Sequence, residues 1–91
     1  MRTVRIDLAC IGSAAELYEA LERELDLPAH FGRNLDALWD VLTGDLGGPI
    51  RVDLAGAAAL RVRLGSDADR VLDLFAEVAA ERDDFTVVVL D

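Results

Sequence analysis

An α/β fold, with a small three-stranded parallel sheet packed with helices, is predicted from three features of the sequence. Residues 3–8, 50–54 and 85–90 carry strand patterning, by alternation in the first two and by a β-branched run in the last. The segments between them carry apolar residues at helical spacing, with cap residues at their starts. Strands separated by helices need crossover connections, which make the sheet parallel and the crossovers right-handed.

In the first segment Val4, Ile6 and Leu8 alternate with Thr3, Arg5 and Asp7, as in a half-buried strand. Gly12 and Ser13 break it, and Ser13-Ala14-Ala15-Glu16 reads as a capping box. Leu17, Leu21 and Leu25 then recur at four-residue intervals as a buried stripe, with Glu19 and Arg23 spaced as an exposed ion pair. Pro28 stops this helix from running on and biases Leu27 toward extended backbone.

A short second helix follows. Gly32 offers a position for positive φ, Asn34 is a good N-cap, and Gly44 stands where a left-handed C-cap would end the helix. At 100° per residue Leu35, Leu38, Val41 and Leu42 share the core arc, while Asp36, Asp40 and Thr43 point away and Trp39 lies on the flank.

Residues 45–49 form a loop before the strand at 50–54. The Ala-rich stretch 57–64 reads as a poorly amphipathic helix, although Arg61 and Arg63 fit a strand equally well, and Gly65 ends it. Ser66 caps the next helix, with Asp69 in the capping-box position. Val71, Leu74, Phe75 and Val78 form its core face, supported by Leu72 and Ala79, with Asp73, Glu77 and Glu81 as an acidic ladder outside. The run Phe85–Leu90 reads as a strand covered on both sides or nearly so. With no repeat, low-complexity segment or composition break, residues 1–91 read as a single domain.

A chain of 91 residues buries a little over about 60% of its unfolded surface, enough for one modest core. Its 18 acidic and 9 basic residues give a net charge of −9, and lysine is absent. That sign opposes direct nucleic-acid binding, which requires phosphates to be neutralised, and suits cationic protein partners. Cys10 is the lone cysteine, so no internal disulfide framework exists. The opening residues 1–8 hold no apolar run of signal-peptide length and nothing later approaches a membrane span, so a cytoplasmic location is expected.

Asp36 and Asp40 carry the most pointed signal. Like charges four apart destabilise a helix by roughly 0.2–0.5 kcal/mol, and only Asp36 lies close enough to the N-terminus to be favoured by the helix dipole. One reading is a solvated face, since 18 of 91 residues are acidic. The other is a binding face, on which Trp39 is an anchor rather than half-buried filler. Two carboxylates on one turn supply too few ligands for a metal, and no cofactor is expected.

The run formed by Leu27-Pro28, Gly32, Asn34-Leu35-Asp36-Ala37-Leu38-Trp39-Asp40 and Leu42-Thr43-Gly44 resembles, without gaps, the central segment of the barstar family. These are intracellular protein inhibitors of secreted ribonucleases such as barnase. The likeness continues through Val71-Leu72, Phe75, Glu77 and the final strand with Thr86, covering nearly the full chain in length and element order. It implies a barstar-like fold and a non-enzymatic, cytoplasmic immunity or antitoxin protein, monomeric until bound. Its partner would be a small secreted microbial ribonuclease, whose cationic active site it plugs with helix-borne carboxylates that mimic RNA phosphates.

Carried over residue by residue, Asp40 matches the family's principal inserted carboxylate, Asp36 a second interface acid and Glu77 a third from the later helix. Gly32, Asn34, Trp39, Thr43 and Gly44 match positions that contact or shape the interface. Two residues depart from the pattern. His30 stands where the family commonly has tyrosine, and Arg33 where it usually has an acid. Protonated His30 would add a cation facing a cationic cleft, and Arg33 would oppose binding if it faced the partner. Either the cognate ribonuclease differs from barnase, or both residues simply face solvent.

Two other classes of function compete. The chain could be an acidic interaction module for another basic partner, since fold is shared more widely than target. Cys10-Ile11-Gly12-Ser13 also sits where a monothiol Cys-x-x-Ser redox motif would, before a helix N-terminus, against the plainer reading of Cys10 as a small buried hydrophobe.

Overall fold

A computed structural model describes residues 1–91. The strands β1 (Arg2–Asp7), β2 (Ile50–Ala55) and β3 (Phe85–Leu90) form one sheet in the order β1-β2-β3, parallel throughout. Register aligns Val4 with Val52 and Val87, and Ile6 with Leu54 and Val89, so one face of the sheet is apolar. The helices α1 (Ala14–Leu25), α2 (Leu35–Asp40), α3 (Ala57–Leu64) and α4 (Ser66–Glu81) complete the fold. None is long and apolar enough to cross a membrane.

One hydrophobic cluster unites strands and helices. Leu17, Leu21 and Leu25 of α1, Leu38 of α2 and Phe75 of α4 are all fully buried in it with Ile6, Val52 and Leu54. The rings of Phe75 and Phe85 lie 6.2 Å apart and join α4 to β3. The stretch 57–64 resolves as a helix because Ala57 and Leu60, three residues apart, turn inward together.

On the opposite face of the sheet Thr3, Arg51 and Thr86 are register partners, and all three are exposed along with Arg5. Arg51 and Asp53 pair there at 2.7 Å. The expectation that β3 is covered on both sides is therefore corrected: Val88 is only half-buried, and Val89 and Leu90 remain 43% and 39% exposed. The β-branched run reflects strand preference, not a second covering layer.

Local chemistry differs from expectation at four further places. Ser13 accepts from the Glu16 amide at 3.1 Å as a capping box requires, but the Glu16 carboxylate reaches past it to the Gly12 amide at 2.8 Å. Glu19 does not pair with Arg23, which turns to Glu24 at 3.3 Å. Gly65, not Ser66, is the N-cap of α4, and Asp69 is drawn to Arg61 at 3.2 Å instead of completing a capping box. Cys10 is exposed, not buried, in the turn after β1.

Candidate functional site

The segment before α2 is anchored at both ends by buried side chains. Asp26 ends α1 in the left-handed region at φ 54°, and Leu27 and Phe31 then plunge into the core. Phe31 packs against Tyr18 at 6.2 Å with the rings tilted by 59°, and its amide donates to Pro28 O at 2.9 Å. Burial, and next the nearby Asp67 carboxylate, hold the Tyr18 hydroxyl above its ordinary pKa. Between the two anchors Ala29 and His30 are left exposed at the tip.

Positive φ falls not on Gly32 but on Arg33, at 53°. Gly32 is instead closely packed: a methyl there would lie 3.2 Å from Ala37 Cβ, which would have to give by a few tenths of an ångström. Arg33 folds back onto α1: its Nε donates to Glu22 at 3.1 Å and Nη1 lies 3.8 Å from Glu19. Its charge is thus matched from within the molecule. Asn34 is the N-cap, with Oδ1 accepting from the Ala37 amide at 2.8 Å and Nδ2 donating to Gly32 O at 3.2 Å. Both polar ends of Asn34 serve to shape the segment.

On α2 itself Leu38 is buried, Leu35 and Trp39 are half-buried, and Asp36 and Asp40 are exposed one turn apart. Neither carboxylate has a cation within ion-pairing distance: Arg23, Arg33, Arg51, Arg61, Arg70 and Arg82 all pair with other acids. The same is true of Asp45 and of Asp73, Glu77 and Glu81 on α4, a helix that packs against α2. The region therefore holds a negative field that the chain does not neutralise.

Gly44 does not end the helix. The chain continues through a π-helical turn, Val41–Asp45, whose Leu46 amide donates back to Val41 O at 2.8 Å. The wider turn carries Leu46 into the core beside Val41 and Leu42, and Gly44 sits exposed within it. Thr43 does not point outward freely; it is half-buried, and its hydroxyl donates to Trp39 O at 2.6 Å.

The end of a helix leaves its last carbonyls without intrahelical partners, and Leu46, just past the π turn, is already extended. Arg82, at the end of α4, supplies a partner: its Nη1 donates to Leu42 O at 2.7 Å and to Leu46 O at 2.9 Å. The guanidinium is gripped by both Asp84 oxygens, at 2.8 and 2.9 Å, and its carbon lies 5.7 Å from the centre of the Phe85 ring. Its side chain is only 14% exposed. The hydrogen bond from Arg82 is the chief cause that lowers the Asp84 pKa.

Eight of the residues singled out from sequence, His30, Gly32, Asn34, Asp36, Trp39, Asp40, Thr43 and Gly44, thus form one continuous segment, with Glu77 on the adjoining helix. Two residues escaped notice. Asp45 is an exposed, unpaired acid brought onto the segment by the π turn; only its proximity to Asp40 could have flagged it. Arg82 lies some 40 positions away and had no local signal at all. At the other end of the sheet Ser13 spends its hydroxyl on the helix cap, and the Cys10 thiol donates a hydrogen bond to Asp7 O at 3.8 Å. No group of three or more His, Cys, Asp or Glu side chains converges as a metal site would require.

Comparison with known proteins bears on the family of the chain. A protein from Bacillus subtilis (strain 168), named "Putative ribonuclease inhibitor YrdF", is 38% identical over 90 residues, spanning 98% of this chain and 99% of its own length. The family model described as "Barstar (barnase inhibitor)" matches residues 1–90. With the acid-bearing helix, the parallel sheet and the full-length match in agreement, the chain belongs to the barstar family.

Proposed function

We propose that this protein inhibits a small secreted ribonuclease by seating Asp40, flanked by Asp36, in the enzyme's cationic cleft where RNA phosphates bind. The observation that carries this reading is the pair of exposed carboxylates on α2 that no arginine of the chain neutralises. A ribonuclease cleft presents cations arranged for phosphate oxygens, and a carboxylate on a stiff helix accepts the same charge-assisted hydrogen bonds. Glu77 adds a third acid from α4, and Trp39, Thr43 and Gly44 complete the surface around them. Asn34 and Gly32 act by shaping the segment, and His30 stands exposed at its tip.

Arg33 does not oppose such a partner, because Glu22 and Glu19 hold its charge. Inhibition is by occupation, without chemistry. A copy kept in the cytoplasm of the producing cell would shield that cell's RNA, an immunity role in keeping with the ribonuclease-inhibitor name of the Bacillus relative.

The test is a titration of barnase and a panel of other small microbial ribonucleases, reading RNA cleavage. Stoichiometric inhibition of at least one enzyme is expected. Asp40→Ala should weaken that complex most, by about 3 kcal/mol or more, because it strands desolvated cations in the cleft, with Asp36→Ala second. Both residues are exposed, so the fold should be unaffected. Association should slow markedly between low and physiological salt. Affinity indifferent to both substitutions would overturn the assignment, and failure to inhibit any enzyme of the panel would favour another basic partner.

A further inference from the structure

We propose that Arg82 is a positioning residue for the inhibitory face: by clamping the π turn Val41–Asp45 from behind, it fixes the backbone that continues α2 in its partner-ready shape. This rests on the inhibitor reading above and extends it to a residue that touches no partner. One guanidinium nitrogen bridges Leu42 O and Leu46 O, the carbonyls on either side of Thr43, Gly44 and Asp45. The remaining face of the fork is locked by Asp84, whose two oxygens hold Nε and Nη2 in one plane. The plane is backed by the Phe85 ring. Space for the pair exists because residue 48 is glycine: a methyl there would lie 2.7 Å from Asp84 Cγ and 2.8 Å from Arg82 Nη2.

Each contact calls for arginine in particular. A lysine is a single point charge and cannot span two carbonyls while meeting a carboxylate in plane. A cation at the C-terminal end of α2 and its π turn is also favoured by the helix dipole. Without the clamp the two carbonyls must seek water, and the turn is free to rewind. The cost appears on binding, when the loosened segment must be re-ordered against the enzyme.

The test uses the full chain in three forms: wild type, Arg82→Lys and Asp84→Asn. The first readout is amide hydrogen exchange, which needs no ribonuclease. Arg82→Lys should accelerate exchange of the Leu46 amide by about tenfold while the amides of β2 stay protected, and Asp84→Asn should act in the same direction by less. The second readout is the kinetics of the complex with barnase or another panel enzyme that the wild type inhibits. Arg82→Lys should raise the dissociation rate by about tenfold and change the association rate by less than about twofold, because net charge is kept.

A Leu46 amide that exchanges as in wild type overturns the clamp, whatever the enzyme assay gives. Faster exchange with an unaltered dissociation rate overturns the positioning role. Acceleration spread evenly over β2 and α4 would mean that Arg82 merely stabilises the whole fold, and also overturns it. Failure of the inhibitor reading shows separately, as a wild type that inhibits no enzyme of the panel.

Discussion

The two flanks of α2 hold the same helix by different means. In front, residues 27–34 are pinned by apolar anchors, Leu27 and Phe31, and by the Asn34 cap, all within a few positions of the helix. Behind, the π turn is pinned by a nearly buried guanidinium that arrives from the end of α4. The front is thus stabilised chiefly by buried surface, and the rear chiefly by directed hydrogen bonds. A face built this way has one flank that depends on packing and another that depends on a few bond directions, so the two should fail differently.

Substitutions on the front flank test that contrast. Phe31→Ala should cost about 3–5 kcal/mol of global stability, since it empties a core position against Tyr18, and thermal or urea unfolding reads the loss. A loss well under that range would mean that the front anchor is not part of the main core. Asn34→Ala should cost about 1 kcal/mol, with Ala37 amide exchange accelerated before any other in α2. Arg33→Gly should fall within about 0.5 kcal/mol of wild type, because relief at a left-handed residue offsets two ion pairs that are both solvent-exposed. A large loss there would show that the Arg33–Glu22 contact is a true counterpart of the rear clamp.

The smallest effect concerns acid. The folded-state pKa of Asp84 is lowered, first by the hydrogen bond from Arg82. Its contribution is therefore fully present above the ordinary carboxylate range and is lost as pH falls through the depressed folded value. Between pH 7 and pH 5 the rear flank should not change. Carboxyl carbon NMR of Asp84 should show its titration moving back up in Arg82→Lys; an unmoved titration would detach Asp84 from the clamp.

What could be read from the sequence was what is local. The stripe Leu17, Leu21, Leu25, the Asn34 cap and the core arc of Leu38, Val41 and Leu42 each follow from spacing within one or two turns, and all are where expected. Eight of the nine proposed partner-facing residues fall within positions 30–44, so their grouping is a matter of sequence alone. Gly44 and Arg82 were illegible for the opposite reason. Whether a helix ends at a glycine or widens into a π turn depends on what satisfies the released carbonyls, and here the donor lies in another element. The left-handed backbone expected at Gly32 falls on Arg33, whose side chain meets Glu19 and Glu22 on α1, contacts eleven or more positions away that local spacing does not reveal. The open face of β3 was hidden too, since a β-branched run records strand preference and not the number of layers around it.

The exposed thiol of Cys10 follows the C-terminal end of β1, whereas the acid-bearing segment feeds the N-terminal end of β2. In a parallel sheet those ends are opposite, separated by about 20 Å for strands of six residues. The chain thus comes with a ready-made, single-point chemical handle: maleimide coupling through its one sulfhydryl should tether every molecule to a sensor chip with the carboxylates directed outward.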